Sequence, residues 1–228
     1  MADKKKIGML VAIEMDAVLS RYGEPGETLE FPGYTVLTYT NDSYTLYVLS
    51  AGAGEIAAAA GTQFLISVFG VDMILNFGVV GGLTPEMATA KTCLVESVVH
   101  YDLDTKAWLG LDDGHYPEYD SAFVPTSPEL LSRALELEPG MKKVICASAD
   151  KFVDDPAKKA ELHEKFGAQI CDMEAAGVVL SCNRNKVPCL LIKAVSDGLI
   201  GGANEFLVEL GRVSAICLEL ADRIIRGL

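Results

Sequence analysis

Gln169-Ile-Cys-Asp-Met-Glu174-Ala-Ala-Gly177, with Leu190-Leu-Ile-Lys-Ala-Val-Ser-Asp197-Gly198 close behind it, is the stretch on which the fold reading turns. An apolar, strand-like run meets a helix at Asp172-Met173-Glu174, and a second apolar run, 189–195, stops on Ser196-Asp197-Gly198. Both runs are short, continuous and rich in Ile, Leu and Val, as strands buried on both faces of a parallel sheet should be. Ligands bind at the carboxyl ends of such strands, and each run brings one carboxylate, Glu174 or Asp197, to that edge. Two converging acids suit proton-transfer chemistry. Taken singly, each has a plainer reading: Glu174 complements a helix dipole, and Asp197 before Gly198 makes a turn.

Working outward, residues 7–13 read as a buried strand running into a helix that opens at Glu14-Met15-Asp16. Residues 23–33 read as a loop, and 34–40 and 44–50 as strands joined by the turn Asn41-Asp42-Ser43. Ala51-Gly52-Ala53-Gly54 links a strand to a helix over 55–69. It lacks the dinucleotide fingerprint and the P-loop lysine, which leaves a tight turn or a close backbone approach to a ligand. Strands are expected at 71–77, 92–99 and 143–149, and helices at 128–136, 156–166 and 204–226. Residues 106–128 read as a long, irregular, aromatic and acidic connection of a functional or interfacial kind. With no linker, repeat or low-complexity segment, residues 1–228 read as a single α/β domain.

The formal net charge of −13 argues against nucleic acid and anionic membrane surfaces as partners. No apolar run has the unbroken length of a membrane span, and the basic start lacks a signal-peptide apolar region, so a cytoplasmic protein is expected. The six cysteines form no C-x-x-C pair and the three histidines have no metal-ligand spacing, so neither metal nor cofactor is expected.

Five stretches in order carry a family resemblance: Ile7-Gly8 through Asp16; Asn76-Phe77-Gly78-Val79-Val80-Gly81-Gly82-Leu83; Ser148-Ala149-Asp150-Lys151-Phe152; Asp172-Met173-Glu174-Ala175; and Ala194-Val195-Ser196-Asp197. Over nearly its whole length the chain resembles the purine nucleoside phosphorylase and nucleosidase superfamily, most nearly its 5′-methylthioadenosine/S-adenosylhomocysteine nucleosidase branch. The resemblance implies a three-layer α/β/α fold with a central twisted mixed sheet, a homodimer and a small-molecule purine nucleoside substrate. It implies that Glu174 binds the ribose 2′- and 3′-hydroxyls and that Met173 packs on the sugar. Asp197 would hold the purine at N7, oriented by Ser196. Phe152 would stack on the base, and the main chain of Val153 would read its edge. Gly78, Val79 and Lys193 complete the implied substrate-binding set. Asp16 falls where the nucleosidases have a glutamate that activates water.

Cleaving an N-glycosidic bond leaves a cation-like ribosyl group and an anionic purine. An acid must serve the leaving base, a carboxylate must stabilise the sugar, and a third acid near water can act as base. Asp197, Glu174 and Asp16 match those jobs in kind. An aspartic acid titrates at about 3.9, so Asp197 must be raised by burial to donate near neutrality. Three positions depart from the family pattern: Asp16 is a methylene short, Val79 replaces a serine, and Lys193 replaces an arginine, losing the planar fork. Asn76 and Val79 also stand where the hexameric phosphorylases grip phosphate with arginine and serine. Water is thereby favoured as nucleophile, Lys193 keeps phosphorolysis open, and a non-catalytic nucleoside-binding protein is the third reading.

Overall fold

The apolar runs become the strands of a mixed sheet in the computed structural model, which describes residues 4–228. β1 (Lys5–Val11) leads into α1 (Met15–Tyr22), and a meander follows: β2 (Glu27–Phe31), β3 (Tyr34–Thr40) and β4 (Tyr44–Ser50). Then come α2 (Glu55–Phe64), extended by a π-helical turn over Leu65–Phe69, β5 (Met73–Gly82) and β6 (Thr92–His100). The 106–128 connection holds a single turn, α3 (Lys106–Leu109), and a two-residue strand, β7 (Val124–Pro125). The remaining elements are α4 (Pro128–Leu137), β8 (Lys142–Ser148), α5 (Pro156–Phe166), β9 (Ile170–Asp172), α6 (Ala175–Asn185), β10 (Cys189–Asp197) and α7 (Ala203–Gly227).

Alternation along the strands separates two cores, one on each face of the sheet. Ile74 and Val80 of β5 pack with Ala58 of α2 and Val178 and Val179 of α6. Met73, Leu75 and Phe77 of the same strand pack with Val18 of α1, Leu131 of α4 and Val213 of α7. Helices thus cover both faces, and the three-layer α/β/α architecture expected from the sequence is present. All nine residues of β10 are buried, which is why its sequence is apolar from Cys189 to Val195 except for Lys193, whose charge is paired with Asp172.

The sheet differs from a simple parallel one. β5 pairs with β1 and β10 in parallel, β10 pairs with β6 antiparallel, and β6, β8 and β9 run parallel to one another. β9 then returns to β5 antiparallel, through Gly81–Cys171 and Gly82–Ile170, and closes a ring of five strands. Glu174 and Asp197 therefore do not arrive on parallel strands sharing one carboxyl edge. β9 approaches from the opposite direction, and the closure over Gly81 and Gly82 brings the two ends together.

The 23–33 segment, expected to be a loop, contains β2, whose alternation is mostly exposed and which carries two glutamates. Among the described residues it is an edge strand that pairs only with β3, so it needs no apolar signature. Among the described residues no helix is long and apolar enough to cross a membrane.

Candidate active site

A cavity of about 190 Å³ opens where β5, β9 and β10 converge, lined by Glu14, Val79, Phe152, Val153, Met173, Glu174, Ser196 and Asp197 among others. Each side arrives for a local reason. In β10 the register against β5 slips between Val195 and Asp197, a bulge that aims the last residue inward. On the other side β9 ends at Asp172, and Glu174 is the residue that caps α6.

Glu174 is buried, and its carboxylate accepts hydrogen bonds from the Gly54 N–H at 2.9 Å and the Met173 N–H at 3.3 Å. Gly54 has a φ of 108°, a conformation that favours glycine and that turns its N–H toward the acid. The glycine-rich 51–54 turn therefore serves the site by holding Glu174, and Ala53 lines the cavity. Burial first, then the charge of neighbouring Asp172, pushes the Glu174 carboxyl up to about 7. Burial also raises Asp172, but Lys193 at 2.9 Å and hydrogen bonds from Ser148 and Ala175 outweigh it and hold that carboxyl below its usual range.

Asp197 is almost fully buried, with Ser196 Oγ 2.9 Å from Oδ1. The same hydroxyl lies 3.2 Å from the Val80 carbonyl. It carries one hydrogen, so when that hydrogen serves Val80 the neighbouring Oδ1 is free to carry a proton. Lys159, wholly buried, places its ammonium 2.6 Å from Oδ2 and within 2.7 and 3.1 Å of the Gly198 and Gly201 carbonyls. Burial raises the Asp197 pKa above the ordinary value, against the opposing pull of Lys159.

Most of the expected set gathers here. Asp197, Glu174, Ser196, Met173, Val79, Val153 and Phe152 all line the cavity. Phe152 is half exposed at the rim, edge-on to Phe206 at 5.3 Å between ring centroids, and is not core packing.

Asp16, Gly78 and Lys193 are not in the lining. Asp16 lies on the exposed side of α1, and Glu14, two residues earlier, occupies the pocket instead. Glu14 is 4% exposed, and its carboxylate accepts from the Val79 N–H at 3.0 Å and the Ile13 N–H at 2.9 Å. It precedes the first turn of α1, where the chain still runs along the cavity; one half-turn later the helix has carried Asp16 to solvent. Gly78 makes room for that acid, since a Cβ there would stand 2.9 Å from Glu14 Oε1. Lys193 sits behind the wall, paired with Asp172. Burial lowers its pKa, but the charges of Asp172 and Glu174 outweigh that and raise it above the ordinary lysine value.

Sequence reasoning missed Lys159 because its spacing carries no motif. A signal existed: it lies on the apolar side of α5 with Leu162 and Phe166, where an uncompensated lysine is not tolerated.

The cavity sets four acids, Glu14, Asp172, Glu174 and Asp197, behind the aromatic residues Phe152 and Phe206, on a ring-closed α/β sheet. Residues 6–228 match the family model described as Phosphorylase superfamily, and the chain belongs to that superfamily. It is 31% identical to an aminodeoxyfutalosine nucleosidase of Campylobacter jejuni, the match covering 87% of this chain and 92% of that protein. It is 28% identical to a 5′-methylthioadenosine/S-adenosylhomocysteine nucleosidase of Tolumonas auensis, over 84% of this chain and 86% of that one. A futalosine hydrolase mutant structure from Helicobacter pylori superposes with a TM-score of 0.92 at 25% identity, covering 98% of this chain and 100% of the other.

Proposed function

We propose that this protein is a nucleosidase that hydrolyses the N-glycosidic bond of a purine nucleoside, releasing free base and sugar. The observation that carries the choice of water is the charge of the lining. Glu14, Asp172, Glu174 and Asp197 face the cavity, and among its described lining residues the one cation is the rim residue Lys151. Lys193 and Lys159 are each committed to a carboxylate. A phosphate dianion entering this recess meets net repulsion, whereas neutral water does not.

In this reading Glu174, held by the Gly54 and Met173 N–H groups, accepts hydrogen bonds from the ribose hydroxyls and stabilises the ribosyl cation as the C1′–N9 bond lengthens. Asp197 delivers a proton to purine N7, and the Lys159 ammonium stabilises the carboxylate left behind. Water adds to C1′ while Glu14, anchored by the Val79 N–H, accepts its proton. The base leaves neutral, the sugar gains a hydroxyl, and the proton on Glu14 balances the one Asp197 gave up. Phe152 stacks on the base at the rim.

The substrate we favour is a 5′-thio-substituted adenosine, methylthioadenosine or S-adenosylhomocysteine, in a dimeric enzyme. The second reading, aminodeoxyfutalosine, is favoured by the relative at 31% identity. Incubation of the enzyme with methylthioadenosine, S-adenosylhomocysteine, aminodeoxyfutalosine, adenosine and inosine, each with and without phosphate, followed by chromatography, tests the proposal. Adenine release in phosphate-free buffer supports it. Strict phosphate dependence, or saturable binding without turnover, overturns it.

A further inference from the structure

Glu55 opens α2 directly after Gly54, is 6% exposed, and does not line the cavity. Its Oε2 accepts the Gly177 N–H at 2.5 Å, and its Oε1 touches the Ser148 hydroxyl. That hydroxyl is also 2.5 Å from Asp172 Oδ1 and accepts the Ala176 N–H at 3.2 Å. Serine has one hydrogen and two lone pairs. Ala176 takes one lone pair, so the hydrogen can satisfy one of the two carboxyl oxygens, and the other oxygen must itself bring a proton. Asp172 faces the Lys193 ammonium and the Ala175 N–H, both of which favour its ionised form. Among the described residues no cation lies against Glu55.

We propose that Glu55 is a proton-bearing positioning residue: its neutral carboxyl donates to Ser148, which donates to Asp172, and the chain fastens α2 to the N-terminus of α6. The inference rests on the reading of Glu174 as the ribose ligand, because the two helix ends joined in this way carry Gly54 and Glu174, donor and acceptor of one hydrogen bond. The titratable groups facing Glu55 are Asp172, Glu174, Tyr101 and Tyr116, with Asp150 against its own N–H and Lys193 beyond Asp172. Of these, Lys193 alone is cationic, and it is taken. Burial, then the charge of Asp172, pushes the Glu55 carboxyl up to about 8, in accord with the hydrogen count. Loss of the proton breaks the bond to Ser148 and sets a third charge beside Asp172 and Glu174. The Gly54 clamp on Glu174 then loosens.

The test is infrared difference spectroscopy of the protonated-carboxyl stretch, titrated from neutral to alkaline pH, alongside KM and kcat profiles. Glu55→Gln places an amide N–H on Ser148 and a carbonyl on Gly177, copying the neutral acid. The wild type should show a carboxyl band at neutral pH that titrates near 8 and is missing in Glu55→Gln. Glu55→Ala, which leaves Gly177 and Ser148 unpaired, should lose about tenfold or more in kcat/KM. Glu55→Gln should rescue that loss and flatten the alkaline rise in KM. Bands of Glu174 and Asp197 remain in both proteins; survival in Glu55→Gln of the component that titrates near 8, a Gln variant as impaired as the Ala variant, or an unchanged alkaline KM would each overturn the proposal. Should the Gln variant fail to fold, Ser148→Ala removes the acceptor and must shift the band. The spectrum needs no turnover, so its outcome is independent of whether the substrate assignment holds.

Discussion

Replacing Lys159 with methionine isolates the electrostatic partner of Asp197. The ammonium is wholly buried and serves three oxygens, on Asp197, Gly198 and Gly201. Methionine keeps the length and the apolar stem but takes the donor from Asp197 Oδ2 and the Gly201 carbonyl, while the Gly198 carbonyl keeps the Gly201 N–H. Removing one member of a buried pair costs about 3–5 kcal/mol. With an unfolding entropy of about 2.1 cal/mol/K per residue over 228 residues, that is a fall of roughly 6–10 °C in Tm. The cost depends on pH, and its sign follows from Asp197. Without the cation its folded pKa climbs further above the unfolded value, so the variant is least impaired in acid and loses stability as pH rises toward that new pKa. In catalysis the acid form persists to higher pH, so the alkaline limb of kcat/KM moves upward while kcat falls. Circular-dichroism melts across pH and a kcat/KM profile read both effects. A lowered Tm with an unmoved alkaline limb would reduce Lys159 to a structural role, and an unchanged Tm would refute the buried-pair reasoning itself.

Glu14→Gln should lose about 10²–10⁴ in kcat, the range of a general base, while Asp16→Asn keeps wild-type initial rates; the reverse pattern would restore Asp16 to the site. Gly78→Ala drives a methyl against Glu14 Oε1, so kcat should fall with little change in far-ultraviolet circular dichroism. Glu174 must be ionised to accept from the ribose hydroxyls, and its carboxyl titrates at about 7, so kcat/KM should decline as pH drops through that value. Glu174→Gln should abolish this acid limb together with most nucleoside affinity in calorimetry.

The inner strands were legible because burial on both faces leaves apolar runs, while the strands 34–40 and 44–50, with their alternating burial, and the helix 156–166 were read to the residue. Glu174 and Asp197 were legible because each interrupts such a run at its end. Asp16 misled because one-residue spacing at a strand–helix junction does not say where the first turn begins, and a half-turn separates pocket from solvent. Lys193 misled because a lysine inside a buried strand signals a charge partner, and the sequence does not show that the partner is Asp172 and not a ligand. Ring closure was invisible because β9 pairs with β5 through two residues per strand, too few to leave a pattern. Lys159 and Glu55 were overlooked for the same reason: their partners lie 38 and 93 residues away.

The central claim is that water, not phosphate, takes the ribosyl group as Asp197 releases the base. Turnover of methylthioadenosine in oxygen-18-labelled, phosphate-free water, with mass spectrometry of the sugar, tests it directly. The account predicts free adenine and a sugar carrying the label at C1, lost in Asp197→Asn. A sugar phosphate formed only on adding phosphate, or labelled sugar at an undiminished rate from Asp197→Asn, would contradict it.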